Sequence, residues 1–332
     1  MRSRLVRLVP AFFPCSDWRP SWDTYVVTGS TFGSPNAIKG TTQLAAGREE
    51  TRLGIPSNTR NMTGKGPEPW QNQIKALTFD VFGTCVDWRS SVQEALKKEA
   101  AAKISSAAFA HLPTDVQSRA RGLTDQDWAV FAQEWRNSYG RFTRSFVPGE
   151  TEWKDIDTHH RDSLVEILMR WQLDGFYSPE EVERLSRTWH FLKPWPDTSQ
   201  GIHMLGTKLV TATLSNGNRA LLKDLNDHGD LGFQRLISAE DFRAYKPNRA
   251  VYLGACESLG LATQQVAMVA AHLGDLEAAR ACGLRTVYVE RPDEEEWKPG
   301  EDRYEGAKQW VDIWVAEGEG GFVGLAKKLQ VV

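Results

Sequence analysis

Long apolar runs, paired cysteines and blocks of a single charge are what this sequence lacks. No stretch approaches the roughly 20 apolar residues that a membrane-spanning helix needs, so no membrane partner is expected. The four cysteines, Cys15, Cys85, Cys256 and Cys282, lie far apart without a CxxC pair. That spacing argues against a zinc cage or disulfide framework and for a reducing, intracellular compartment. The formal charge is only -3 and no long Lys/Arg block occurs, so the electrostatic footprint of a nucleic-acid binder is missing and a small-molecule partner is expected instead. The opening MRSRLVRLVPAFFP has too short and broken an apolar run for a signal peptide, yet it is Arg-rich and free of acid up to Asp17. A cytoplasmic location is expected, with a mitochondrial transit peptide as the alternative.

The composition, 41% hydrophobic and 25% charged over 332 residues, has room for a catalytic core and a smaller domain. Residues 1–73 are rich in Ser, Thr, Asn, Gly and Pro without a sustained period, and read as a leader or tail outside the packed fold. Next, Ile74 to Phe79 is a mostly apolar run ending at Asp80 and followed by Gly83-Thr84, a buried strand entering a turn. From about Ser91 to His190 the patterns are helical, over Asp125 to Phe146, Asp157 to Leu173 and Ser178 to Phe191, the last opened by the capping box Ser178-Pro179-Glu180-Glu181. Strand patterns return at Lys208 to Leu214, Arg235 to Ser238, Val266 to Ala271 and Arg285 to Glu290. They are separated by helical stretches at Arg219 to Asp227, Asn248 to Leu259 and Leu276 to Cys282. This order predicts a doubly wound, parallel α/β core, Rossmann-like, with a helical cap inserted after the first strand. Residues 74–90 and 196–332 form the core and 91–195 the cap. The acidic run Asp293 to Glu296 reads as a solvated loop.

In such a sheet, active groups belong at the carboxyl ends of strands, where Asp80, Ser215 and Asp275 fall. A carboxylate there can be a metal ligand, a general base, a nucleophile or only a helix N-cap. Its neighbours add a resemblance. Phe79-Asp80-Val81-Phe82-Gly83-Thr84 resembles the first motif of the haloacid dehalogenase superfamily, in which the Asp attacks the substrate. Leu214-Ser215-Asn216-Gly217 resembles the second, although Ser-Asn-Gly is also ordinary turn sequence. Lys246 in Tyr245-Lys246-Pro247 resembles the third, where an ammonium keeps the nucleophile ionised; by itself it reads equally as a solvated loop lysine. Ala270-Ala271-His272-Leu273-Gly274-Asp275 occupies the place of the fourth. The four lie in the family's order between about Lys75 and Pro292.

Position 82 separates the branches of that superfamily. Magnesium-dependent phosphatases carry a second Asp there, whereas this chain has Phe82, whose ring transfers no proton. Alignment on Asp275 puts Ala270 where phosphatases place a further metal-binding Asp, and Ala cannot ligate Mg²⁺. No metal and no cofactor are therefore expected. Similarity to the type II, L-2-haloacid dehalogenases implies that Asp80 displaces halide from C2 of a small 2-haloalkanoic acid, giving an ester that water then hydrolyses. Phosphatase chemistry on a small metabolite, or hydrolysis of a larger natural product, is the alternative.

The same resemblance gives Arg136, in Glu134-Trp135-Arg136, the role of substrate-carboxylate clamp, although an exposed helix Arg is the plain reading. It makes Tyr252 an active-site residue, where a helix Tyr would otherwise be core. It implies that Thr84 and Ser215 position Asp80 and the substrate, that Asn216 lines the site, and that Asp275 orients Lys246 or activates water. The chain departs from the family at Ala270 and His272, where Ser and Asn are usual. His272 reads as a substrate-contacting base or as a hydrogen-bonded structural histidine. Trp128, Trp135, Trp153, Trp171 and Trp189 read as cap packing, and a cap so rich in Trp is expected to support a homodimer.

Overall fold

The computed structural model describes residues 70–331. The transit-peptide reading, Cys15 and the tail up to residue 69 lie outside the described residues. The last part of the expected tail is structured: Trp70–Gln73 forms a 3₁₀ turn, with the Arg285 guanidinium 5.3 Å from the Trp70 ring centroid.

The first strand, β1 (Ala76–Phe79), is buried along its whole length, as an apolar run without alternation requires when both sheet faces are covered. A short strand β2 (Val86–Asp87) and the helices α1 (Trp88–Ile104), α2 (Thr114–Gly122), α3 (Asp125–Ser145), α4 (Ile156–Arg170) and α5 (Pro179–Ser186) follow. The predicted capping box opens α5: Ser178 Oγ accepts from Glu181 N at 3.2 Å and Glu181 Oε2 accepts from Ser178 N at 2.7 Å. The expected helix over Ser178 to Phe191 is in fact divided, with a 3₁₀ turn at Arg187–His190 ahead of β3 (Lys193–Pro194). β3 pairs antiparallel with β2. Sequence reasoning saw no strand here, because two residues per strand leave no period to detect.

The chain then alternates through α6 (Thr198–Gly206), β4 (Val210–Thr213), α7 (Arg219–His228), α8 (Arg249–Leu259), β5 (Val266–Ala270), α9 (Leu273–Ala281), β6 (Arg285–Val289), α10 (Asp302–Trp310), β7 (Ile313–Val315) and α11 (Gly321–Lys328). The sheet order is β4-β1-β5-β6-β7, parallel throughout. The expected strand over Arg235 to Ser238 is reduced to two isolated bridges, Ala212 to Arg235 and Ser215 to Ser238. Between them a side chain replaces the backbone ladder: Thr213 Oγ1 donates to Ile237 O at 3.0 Å and accepts from Ile237 N at 2.9 Å.

Two hydrogen bonds set the central strand ends in register, Asp80 N to Val269 O at 3.0 Å and Leu214 N to Phe79 O at 2.7 Å. Asp80, Ser215 and Ala271 therefore emerge side by side. Above them the cap packs through aromatic rings. Trp88, Trp135 and Trp189 are fully buried, Trp88 stacks on Trp189 at 6.1 Å, and Phe82 meets Tyr139 at 6.0 Å and Trp189 at 6.1 Å. Each such pair contributes about 0.5–1.5 kcal/mol beyond its area, so the ring at position 82 holds the cap against the turn that follows Asp80. Cap and core are also joined by His190, whose Nε2 lies 2.8 Å from Asp157 Oδ1 and Nδ1 2.7 Å from Asp224 Oδ2. Among the described residues Cys85, Cys256 and Cys282 are free, and no helix is long and apolar enough to cross a membrane.

Candidate active site

The turn after β1 requires a glycine. Gly83 has φ of +83°, and a Cβ there would lie 2.0 Å from Glu294 Oε2, so the backbone conformation favours glycine and any side chain would have to displace the Glu294 carboxylate. This turn brings Thr84 back onto Asp80: Thr84 Oγ1 donates to Asp80 Oδ2 at 2.7 Å and accepts from Ala271 N at 2.9 Å. Lys246 Nζ spans two carboxylates, 2.9 Å from Asp80 Oδ1 and 2.6 Å from Asp275 Oδ2. Tyr252, buried on α8, donates its hydroxyl to Asp275 Oδ1 at 2.5 Å. Asn216 clamps the Lys246 backbone from both sides, accepting from N at 2.7 Å and donating to O at 3.4 Å. Lys246 is thus a buried, fully engaged cation rather than a solvated loop lysine.

Burial would push the Asp80 carboxyl toward its neutral form, but the Lys246 charge and the hydrogen bond from His272 outweigh it and hold the pKa well below the carboxylate range. Burial likewise opposes the Lys246 charge, and Asp275 and Asp80 more than restore it, raising its pKa above the lysine range. A carboxylate of such low proton affinity is a poor general base. It is held as a carboxylate and fixed in orientation by Thr84, Lys246 and His272, with only a small edge exposed.

That edge faces a cavity of about 490 Å³ whose wall includes Asp80, Arg136, Asn216, Lys246, Tyr252, His272 and Asp275. Arg136 is half-buried on α3, with its guanidinium 4.7 Å from the Tyr139 ring centroid, 5.6 Å from Trp88 and 5.8 Å from Phe82. It has no hydrogen bond or ion pair among the described residues. Arg89, also on the wall, is by contrast consumed by Gln133 and by the Asp293 carbonyl at 3.0 Å. Ser215 is not on the wall: it is fully buried, and its hydroxyl accepts from Gly217 N at 3.2 Å, shaping the turn beneath the site.

The haloacid dehalogenase-like hydrolase family model matches residues 74–283. The chain belongs to that family. This hydrolase is 31% identical over 234 residues to (S)-2-haloacid dehalogenase 4A of Burkholderia cepacia, across 69% of its own length and 89% of the relative's. Its fold matches the crystal structure of a defluorinating L-2-haloacid dehalogenase with TM-score 0.64 and 31% identity, covering 77% of this chain and 95% of that one. A second L-2-haloacid dehalogenase structure matches with TM-score 0.61 and 35% identity over 77% and 99%.

Within the hydrolase's site, sequence reasoning missed Glu294. The acidic run Asp293 to Glu296 is not a uniformly solvated loop. Only 4% of the Glu294 side chain is exposed, and it accepts from Trp88 Nε1 at 3.1 Å and meets His272 Nε2 at 3.4 Å. Glu295 accepts from Leu273 N at 2.5 Å, at the start of α9. The run follows the carboxyl end of β6, and that position was the available signal; the charge pattern alone pointed to solvent.

Proposed function

We propose that this hydrolase cleaves the carbon–halogen bond of a 2-haloalkanoic acid through a covalent ester on Asp80, with no metal. The observation that carries this reading is one cavity holding both an ionised, oriented carboxylate and an Arg136 guanidinium without an anionic partner. A planar, bidentate cation on an aromatic bed suits a substrate carboxylate. Binding of that carboxylate by Arg136 turns C2 toward Asp80, and the halide leaves with the bonding electron pair as the ester forms. Lys246 offsets the repulsion between the two anions. Asp275 and Tyr252 hold Lys246, Asn216 fixes its backbone, and Thr84 fixes Asp80 Oδ2.

The donor set supports chemistry without magnesium. Phe82 and Ala270 occupy positions where a carboxylate would be needed, and neither side chain has an atom that ligates a hard cation. Halide departure needs no acid, so the phenyl ring at 82 costs the reaction nothing. The named relatives are 2-haloacid dehalogenases, in line with the same reading. The cavity of about 490 Å³ exceeds what 2-chloropropionate requires, since six non-hydrogen atoms at the roughly 30 Å³ liquid share of one water need about 180 Å³. Longer C2 substituents therefore fall within the proposal.

The test is halide release from each enantiomer of 2-chloropropionate by purified protein in excess chelator, beside Asp80→Asn. Release from one enantiomer, abolished in Asp80→Asn, is expected. No release from 2-haloacids of any chain length by folded protein, or activity that disappears with chelation and returns with Mg²⁺, would move the function to the phosphatase or natural-product alternatives.

A further inference from the structure

His272 stands between two carboxylates. Nδ1 lies 3.1 Å from Asp80 Oδ2 and Nε2 lies 3.4 Å from Glu294 Oε2. Ionised carboxylates only accept hydrogen bonds, so a ring that satisfies both carries a proton on each nitrogen. Burial disfavours that charge, but hydrogen bonding to Asp80 and Glu294 and their negative charge outweigh it and push the pKa up to about 10. In the free protein the ring is an imidazolium. As such it donates to Asp80 and cannot act as a base.

Glu294 is held in place for this contact. Trp88 Nε1 donates to the same Oε2, Arg89 Nη2 lies 4.0 Å from Oε1, and Gly83 leaves room for the carboxylate. The network of Asp80, Lys246 and Asp275 makes no use of it. Asp275, the other carboxylate beside the nucleophile, has both oxygens occupied, by Lys246 and by Tyr252, so it is poorly placed to take a proton from water. Glu295 and, across Asp80, Lys246 complete the charges around His272.

The geometry points to a Glu294–His272 dyad as the base for ester hydrolysis, unmasked when Asp80 is alkylated; it rests on the reading of Asp80 as the nucleophile. Attack by Asp80 forms the bond to C2 and expels halide. The carboxylate becomes a neutral ester, and the charge that held the proton on Nδ1 disappears. That proton passes to solvent and is the one proton the whole reaction releases. The neutral ring keeps Nε2–H on Glu294 and presents the Nδ1 lone pair beside the ester. Nδ1 takes a proton from water as the water oxygen bonds to Asp80 Cγ. The tetrahedral intermediate then breaks its Cγ–O bond to the substrate, and the departing alkoxide takes the proton from Nδ1 and leaves as the 2-hydroxy acid. Asp80, now a carboxylic acid, returns its proton to Nδ1 and restores the ion pair. One water is consumed and one halide and one proton are released. Glu294 is a positioning residue in this sequence and His272 a catalytic one.

Rapid-quench measurement of halide, with intact and peptide mass, on wild type, His272→Asn and Glu294→Gln with 2-chloropropionate tests the dyad. His272→Asn is expected to release halide in one burst close to enzyme concentration, to accumulate the substrate adduct on the Asp80 peptide, and to turn over about 100-fold more slowly. Glu294→Gln is expected to show a smaller slowing of the same step and a lower apparent pKa in its pH profile, which a merely structural glutamate would not produce. Adduct hydrolysis as fast in His272→Asn as in wild type, or no burst from folded His272→Asn while wild type turns over, would overturn the dyad and leave Asp80 as nucleophile. A wild type that releases no halide from any 2-haloacid would overturn both.

Discussion

The floor and the roof of the cavity are built on different principles. On the floor, at the strand ends, every charged group has a partner within hydrogen-bonding distance: Thr84 and His272 on one Asp80 oxygen, Lys246 on the other, Tyr252 behind Asp275. On the roof, supplied by α3, Arg136 rests on the rings of Tyr139, Trp88 and Phe82 with its hydrogen-bonding capacity unspent. A saturated polar network fixes geometry before substrate arrives, as chemistry at a buried carboxylate requires. An unpaired cation on an apolar bed is left for a ligand to satisfy. On the proposed reading, reaction type resides in the floor and substrate choice in the roof.

The largest effect expected is on the floor. Asp80→Asn should lower halide release on the order of 10⁴-fold or more, because an amide at this position offers no carboxylate oxygen to form the ester; a steady-state assay with ion-selective detection checks it. Lys246→Met should abolish activity comparably and also destabilise the fold by about 3 kcal/mol, since removing one partner leaves Asp80 and Asp275 buried without their cation. A shift in the urea midpoint reads that second effect, and an unchanged midpoint would contradict the picture of a saturated floor.

A roof substitution should look different. Arg136→Ala is expected to lower kcat/KM roughly 100-fold, mainly through KM, with stability changed by only about 1 kcal/mol, because ring contacts to Tyr139, Trp88 and Phe82 are lost but no charge is left unpaired. Arg136→Lys should restore little, as an ammonium cannot grip a carboxylate with two parallel bonds. Equal damage to stability from Arg136→Ala and Lys246→Met would erase the distinction between the two surfaces. Next in size, Gly83→Ala should destabilise by about 1–3 kcal/mol, through its positive φ and the collision with Glu294, and thermal unfolding would show it.

A pH dependence of stability with a defined sign is also expected. The folded pKa of His272, pushed up to about 10, exceeds the value near 6.5 of an unfolded histidine. Its contribution to stability is therefore complete below about pH 6.5 and is lost as pH rises through about 10. Asp80 works in the opposite sense: its lowered pKa makes its contribution complete above the unfolded value near 3.9 and removes it as the solution becomes more acid. Melting temperature across pH should fall on both sides, and His272→Asn should flatten the alkaline side most, with a smaller change on the acid side because His272 also helps hold the Asp80 pKa down.

The floor was also the more legible half in the sequence. Asp80, Lys246 and Asp275 lie far apart in the chain, yet each sits next to a short apolar strand or a turn whose order identifies the sheet, and the structure joins them through one ammonium. Arg136 was harder to place, since one arginine on an amphipathic helix resembles any other until the opposite wall is known. Glu294 was read as solvent-facing because a run of acids has no period; its burial depends on the open space above Gly83 and on Trp88, neither of which is near it in sequence. The strand expected at Arg235 to Ser238 failed for a comparable reason, as the Thr213 side chain took the place of the backbone partner.

The most direct test of Asp80 as a covalent nucleophile is turnover of 2-chloropropionate in water enriched in the heavy oxygen isotope, followed by mass analysis of the peptide containing Asp80. Ester formation and attack of water at Cγ require that the isotope enter the Asp80 carboxylate first and reach the hydroxy acid only in later turnovers. Label in the product of a single turnover, with none in the Asp80 peptide, would mean that water attacks C2 directly and would contradict the covalent route.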